Sequence, residues 1–252
     1  MGGETDDREK RALEAATVIL LSRFPEARCG FAAGSIMRGE GTATSDIDLV
    51  VVFERLDAAW RESFYAEGFP VEAFVHDDET LAWFMAEDAQ RGVPSIVAMV
   101  AEGRPVGPDA ALACALQTEA ADMLAQGPPP LTSTQLDELR YRITDLLEDI
   151  GAGRSAAELR AIAASLHKPL ADLILLGRRR WSGQGKWIPR LLADLDPALA
   201  GEFDDAMYRL CEGDGEPIAS LAKRELARHG GALWVGYRLT APASARLSRD
   251  QT

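Results

Sequence analysis

The sequence has few of the residues that build disulfide frameworks and zinc sites. Its 252 residues include only three cysteines and three histidines, and these are scattered along the chain. So small and odd a number of cysteines excludes a disulfide-stapled scaffold. Because no cysteine–histidine cluster is present, a zinc site is not expected either.

Long apolar runs are also missing. No run reaches the roughly 18 residues that a membrane-spanning helix needs, so we predict no membrane partner. The N-terminal segment, MGGETDDREKR, is polar and acidic, which is not the pattern of a secretory signal. We therefore expect a cytoplasmic protein.

Positive charge is scarce in the first half of the chain. Residues 1–126 contain 10 Lys and Arg against 23 Asp and Glu, whereas residues 127–252 contain 17 of each. An acidic surface repels phosphate backbones, so a long nucleic acid is not an expected partner. The excess of negative charge in the first half suits divalent cations or a cationic small molecule. A solvated acidic surface kept for solubility explains it as well.

A run of three prolines after Gly127 divides two kinds of sequence, because Pro128 to Pro130 block both a helix and a central strand. Upstream, short β-type runs alternate with helical patterns; downstream, almost every segment has helical spacing. We predict an α+β protein in which a mixed sheet with flanking helices over residues 1–126 is followed by a helical bundle over 131–240. Residues 241–252 lack periodicity, which predicts a flexible tail.

Local patterns assign the individual elements. In the first half we predict helices over 8–23 and 55–66 and a helix that starts near Asp77 or Asp78, with strands over 28–33, 46–53 and 70–75. The segment 94–99 fits a strand or a helix equally well. In the second half the predicted helices are 133–150, 155–177, 187–194, 197–211 and 216–229.

Two aspartates interrupt an otherwise apolar strand. Asp46 and Asp48 are two residues apart, so both point to one face, while Ile47, Leu49 and Val51 point to the other. Carboxylates held side by side in apolar surroundings are costly unless a charge offsets them. Oxygen ligands of this kind suit Mg²⁺, which also binds substrate phosphates.

A phosphate-binding turn precedes this strand. Gly34 ends the strand before it, and a glycine lets backbone amides approach an anion closely. The Ser35 hydroxyl and neighbouring N–H groups can hold a phosphate, and Arg38 offers a planar guanidinium to the same group. Together these residues predict a site for a metal ion and a triphosphate.

Glu72 supplies a third carboxylate. It lies in a separate strand between Val71 and Ala73, so it is also a charge within an apolar pattern. If the two strands pair, Glu72 projects beside the aspartates, and three carboxylates can hold two metal ions. Glu72 is then also a candidate general base.

These residues resemble the nucleotidyltransferase superfamily that includes DNA polymerase β and the aminoglycoside nucleotidyltransferases. The signature is Gly-Ser, a gap of about ten residues, Asp-x-Asp, and a third acid on a later strand. This signature is matched by Gly34-Ser35, Asp46-Ile47-Asp48 and Glu72. The local sequence around Arg38 and Ser45 is similar to that of the small-molecule and minimal branches of the superfamily. The resemblance covers roughly residues 28–76.

The resemblance implies a function as well as a fold. It implies Mg²⁺-dependent transfer of a nucleoside monophosphate, such as AMP from ATP or the equivalent from another nucleoside triphosphate, onto a hydroxyl of a small acceptor. A cationic, aminoglycoside-like acceptor, and with it antibiotic resistance, would agree with the acidic first half. Ser45 and Lys186 are further candidates for nucleotide binding, Lys186 by its similarity to a helical-domain lysine of related adenylyltransferases. We expect a monomer or a homodimer.

Several alternatives stay open. A minimal-nucleotidyltransferase antitoxin, or an adenylyltransferase that modifies a partner protein, would keep the fold and change the acceptor. A Mn²⁺-dependent glycosyltransferase would use the Asp-x-Asp pair but leaves Gly34-Ser35 unexplained, and a degenerate regulatory domain would have no need of all three acids. Asp145 and Asp149 share a helix face, where they form a solvated surface, bind a cationic substrate, or supply Asp145 as a different general base.

Overall fold

The structure is a computed structural model that describes residues 2–151, 153–242 and 245. Of the tail predicted over 241–252, residues 243, 244 and 246–252 lie outside the described residues. The chain divides into two compact units. The first comprises the residues up to Pro129 together with Arg179–Gly183, and the second comprises Pro130–Arg178 together with the residues from Gln184 onward.

A mixed five-stranded sheet forms the centre of the first unit. Its strands lie in the order β3-β4-β2-β1-β5; β2 and β4 run parallel, and the other neighbours are antiparallel. The strands are Cys29–Ala33 (β1), Ile47–Phe53 (β2), Trp60–Ala66 (β3), Phe69–Asp77 (β4) and Arg104–Val106 (β5).

Helices cover both faces of this sheet. They are Gly2–Arg23 (α1), Asp78–Arg91 (α2), Ser95–Glu102 (α3) and Ala110–Gln126 (α4). The fully buried side chains of Ile47, Leu49 and Val51 pack with α1, whereas Val50 and Val52 pack with α2, α3 and α4. Strand β2 is therefore apolar on both faces along most of its length, and only its first residues can carry charge.

The predicted helix over 55–66 is wrong, because residues 60–66 form the edge strand β3. Its side chains are exposed or half-buried throughout, so they show no clean apolar stripe of either period. Hydrogen bonds to β4 decide this strand, with Arg61 opposite Phe74 and Ser63 opposite Glu72. Such pairing between separate segments overrides local propensity. The ambiguous segment 94–99 belongs to α3, where Ile96, Val97 and Val100 are buried.

The second unit is helical. Its helices are Ser133–Ile150 (α5), Ala156–Leu176 (α6), Trp187–Leu195 (α7), Pro197–Cys211 (α8) and Glu216–Ala227 (α9). Thr132 and Ser155 begin α5 and α6 with capping boxes, in which each hydroxyl accepts from a backbone N–H three residues later. The α6 helix runs through the middle of the core, with ten buried residues that include Pro169.

The segment Arg179–Gly183 packs with the first unit although its chain neighbours belong to the second. The Trp181 indole N–H donates to the Leu124 carbonyl at 2.8 Å, and the Ser182 N–H donates to the Gly92 carbonyl at 2.8 Å. Among the described residues no helix is both long and apolar enough to cross a membrane. The α+β class predicted from the sequence, a mixed sheet with flanking helices followed by a helical region, is confirmed.

Candidate active site

Three acidic residues meet where the parallel strands β2 and β4 begin. Asp48 and Glu72 are direct partners in the register of the two strands, and Asp46 comes one residue before β2. Each of the three offers a carboxylate oxygen, and these oxygens lie within 4.8 Å of one another. Asp46 is exposed and the other two are half-buried, so the group is open to solvent on one side. The structure therefore brings together the three carboxylates that the sequence singled out.

Gly34 makes room for Asp48. It directly follows β1 and has a positive φ of 93°. A Cβ atom at this position would lie 2.7 Å from Asp48 Oδ2, well inside van der Waals contact. Both the backbone conformation and the close approach therefore require glycine.

Asp48 is strongly perturbed by its surroundings. Its pKa is raised to about 6, first by burial and then by the negative charges of Asp46 and Glu72. Arg38 and Arg61 act in the opposite direction but do not offset these effects. A carboxyl group in this setting is stabilised in its charged form by a nearby cation.

Hydroxyl groups line the loop between Gly34 and Asp46. The Ser35 hydroxyl donates to Ser45 Oγ at 3.0 Å, and the Thr42 backbone N–H donates to the same oxygen at 2.9 Å. Ser45 thus ties together both ends of the loop that joins β1 to the carboxylates. The Arg38 guanidinium lies 3.8 Å from Glu40 and is close enough to lower the pKa of Asp48.

Two arginines contact this region that the sequence patterns did not single out. Arg8, on α1, donates to the carbonyls of Ala43 and Ser45 at 3.3 Å each, and so fastens the same loop from the helix. Arg61, on β3, donates through Nε to Glu72 Oε1 at 2.7 Å and also pairs with it through Nη2. Arg8 carries no signal beyond its place in an amphipathic helix. Arg61 and Ser63 are two residues apart, the spacing that puts two side chains on one face of a strand. The helix predicted over 55–66 hid this pattern.

The donor set fits a divalent cation. Three neighbouring carboxylates are the hard oxygen ligands that Mg²⁺ and Mn²⁺ accept. Their oxygens lie within 4.8 Å of one another, close enough for one ion to contact all three, and the neighbouring negative charges contribute to the raised pKa of Asp48. Asp46, Asp48 and Glu72 could therefore hold one or two such ions.

The remaining candidates belong to the second unit. Lys186 is exposed directly before α7, and Asp145 is exposed on α5. Asp149, four residues after Asp145, pairs with Arg154. The roles of Lys186 and Asp145 stay predictions.

Comparison with known proteins gives a distant likeness among solved structures. No protein-family model matches the chain, and no curated protein matches it. Among solved structures, a nucleotidyltransferase-like protein from Exiguobacterium sibiricum 255-15 is 13% identical, and the match covers 85% of this chain and 76% of that one with a TM-score of 0.46. A likeness this distant does not bear on substrate, acceptor or branch, so we base the functional proposal on the site.

Proposed function

We propose that the protein is a nucleotidyltransferase that depends on a divalent cation. The observation that supports this is the convergence of Asp46, Asp48 and Glu72 beside a glycine at which a side chain would collide with the Asp48 carboxylate. A carboxylate cluster adjoining a Gly-Ser turn provides neighbouring places for a cation and for the phosphates it would neutralise. The same residues carry the resemblance to the nucleotidyltransferase superfamily.

The reaction is transfer of a nucleoside monophosphate to a hydroxyl group. The acceptor oxygen forms a bond to the α-phosphorus of a nucleoside triphosphate, the bond from that phosphorus to the bridging oxygen breaks, and pyrophosphate leaves. Mg²⁺ bound by the three carboxylates would supply charge neutralisation and a lowered pKa for the attacking hydroxyl. Positioning and electrostatics account for most of the rate in such transfers.

The chain's own groups divide the remaining work. The Ser35 and Ser45 hydroxyls and the backbone N–H groups after Gly34 orient the phosphates, and Arg38 adds a positive charge beside them. Glu72 accepts the proton of the acceptor hydroxyl, with Asp145 as the other candidate base. Lys186 is proposed as a further contact to the triphosphate.

We propose ATP as the nucleotide and a small hydroxylated molecule as the acceptor. The balance of −13 in residues 1–126 favours an acceptor that carries positive charge, such as an aminoglycoside, because opposite charges attract it to this unit. This refinement depends on the charge balance alone and is tested together with the reaction.

A transfer screen tests the proposal. The full-length protein is incubated with Mg²⁺, each of four α-labelled nucleoside triphosphates, and a panel of aminoglycosides, lincosamides and uncharged polyols. We expect labelled acceptor and released pyrophosphate with wild-type protein, and neither with Asp48→Asn. Label transfer that is equal in both proteins, or no transfer to any acceptor with any nucleotide, would contradict the proposal.

A further inference from the structure

The edge strand β3 places a cation beside the third carboxylate. In its register with β4, Ser63 lies opposite Glu72, and Arg61 lies two residues earlier on the same face of the strand. The Arg61 side chain reaches back over Phe74, with its guanidinium carbon 5.1 Å from the ring centroid. The arginine is therefore directed toward Glu72 by the strand and by the ring under it.

Contacts from β3 converge on one oxygen of Glu72. Arg61 donates two N–H groups to Oε1, and the Ser63 hydroxyl lies 3.4 Å from the same atom. An oxygen that accepts several hydrogen bonds has less electron density to offer a metal ion. The positive charge of Arg61 also opposes the approach of a second cation.

The two partners differ in exposure. The Arg61 side chain is 62% exposed, whereas that of Glu72 is 20% exposed. Arg61 can therefore turn into solvent at the cost of its contact with the Phe74 ring, while Glu72 is fixed beside Asp48 by the pairing of β2 with β4. Of the two residues, the arginine is the one that is free to give way.

We propose that Arg61 is a positioning residue that acts as the resident counter-ion of the carboxylate group, holding Glu72 Oε1 until a divalent cation takes its place. This inference rests on the proposed function, because it concerns the same carboxylates. Its consequence is that Arg61 lowers the affinity of the free protein for divalent cations. An arginine that merely aimed Glu72 at the cation would raise that affinity, so the two roles give opposite signs.

Direct titration with Mn²⁺ tests the sign. Free Mn²⁺ is measured by electron paramagnetic resonance with full-length protein at pH 7.5, low salt and no nucleotide, since salt screens exposed charges. We expect Arg61→Gln to lower the Kd for Mn²⁺ about two- to fivefold, the range expected when an ion pair of limited burial no longer competes. Arg61→Lys keeps the charge but loses the two-nitrogen contact, and we expect its Kd to lie between those of wild type and Arg61→Gln.

Arg23 provides the matched control. Arg23, at the end of α1, pairs with Glu62 of β3 at 2.6 Å, and its guanidinium carbon lies 4.2 Å from the ring centroid of Phe64 on the same strand. Arg23→Gln thus removes the same charge, a carboxylate partner and an aromatic contact, without touching Glu72. We expect its Kd for Mn²⁺ to equal that of wild type, and thermal melts of all variants establish that they are folded.

The possible results separate the inference from the function on which it rests. A Kd in Arg61→Gln that is equal to or higher than that of wild type overturns the counter-ion role, and so does an equal decrease in Arg23→Gln. In those cases the metal site itself is still supported if wild type binds Mn²⁺ and Asp48→Asn does not. If neither wild type nor Arg61→Gln binds Mn²⁺, the metal site itself fails, and the proposed function fails with the inference.

Discussion

The two ends of the parallel pair β2–β4 each carry a buried or half-buried aspartate, and the two aspartates are held in opposite ways. At the start of the pair, Asp48 faces Asp46 and Glu72, and its pKa is raised to about 6. At the far end, Asp77 accepts from the Thr80 backbone N–H at 2.9 Å and from the Leu56 N–H at 2.9 Å. These hydrogen bonds lower the pKa of Asp77 to about 2.

The difference separates a carboxylate held by the fold from one that we propose to be functional. The Asp77 carboxylate accepts hydrogen bonds from donors of its own chain, including those of the capping box that begins α2. Its charged form is therefore stabilised without an external cation. Asp48 is half-buried beside two other carboxylates, which disfavour its charged form, so a cation bound there would stabilise that form. Burial alone does not distinguish them; the sign of the pKa shift does.

The largest test of this comparison is Asp48→Asn. The change removes one carboxylate of the proposed metal site, and we expect nucleotidyl transfer to fall by about 10³-fold or more, the scale of losing charge stabilisation in a transition state. Steady-state transfer to an acceptor found in the screen measures it, with circular dichroism to verify the fold. Activity within tenfold of wild type would show that Asp48 has no essential role.

Glu72 tests whether the partner of Asp48 in the strand register is the base. We expect Glu72→Gln to lower transfer about 10²-fold, within the range for loss of general-base catalysis, because the amide cannot accept the proton. The matched change Asp145→Asn should leave the rate within about twofold. The opposite ranking of the two variants would assign the base to Asp145.

The stability of the two ends should respond to pH in opposite directions. Because the folded-state pKa of Asp48 is raised from 3.8 to about 6, its contribution is fully present below pH 3.8 and is lost as the pH rises through 6. We expect wild type to lose about 3 kcal/mol of unfolding free energy over this range relative to Asp48→Asn. Urea unfolding at closely spaced pH values measures it without metal; parallel curves for the two proteins would contradict the assigned pKa.

Sequence patterns predicted the parts of the molecule that are decided locally. The α5 helix begins and ends where its Thr132 cap and apolar spacing indicate, and the acidic interruptions of two apolar strands identified Asp48 and Glu72. Strand β3 was missed because its exposed, mixed side chains acquire their structure only from β4, a partner that propensity does not see. Arg61 was missed with it, so the counter-ion of Glu72 became visible only in the folded chain.

The smallest expected effect concerns Asp77. Asp77→Ala removes the cap of α2 and leaves the Leu56 N–H without its acceptor, so we expect a loss of about 1–2 kcal/mol in unfolding free energy. Transfer per folded molecule should stay within about twofold of wild type, because Asp77 lies at the end of β4 away from the carboxylate group. Asp77→Asn, which keeps an accepting oxygen, should recover part of the stability.

Because the folded-state pKa of Asp77 is lowered to about 2, its contribution to the free energy of unfolding is present above pH 3.8 and is lost as the pH falls through 2. A variant that instead lost activity and kept its stability would place the functional carboxylate at the other end of the strands, and the distinction drawn from the two pKa values would be wrong.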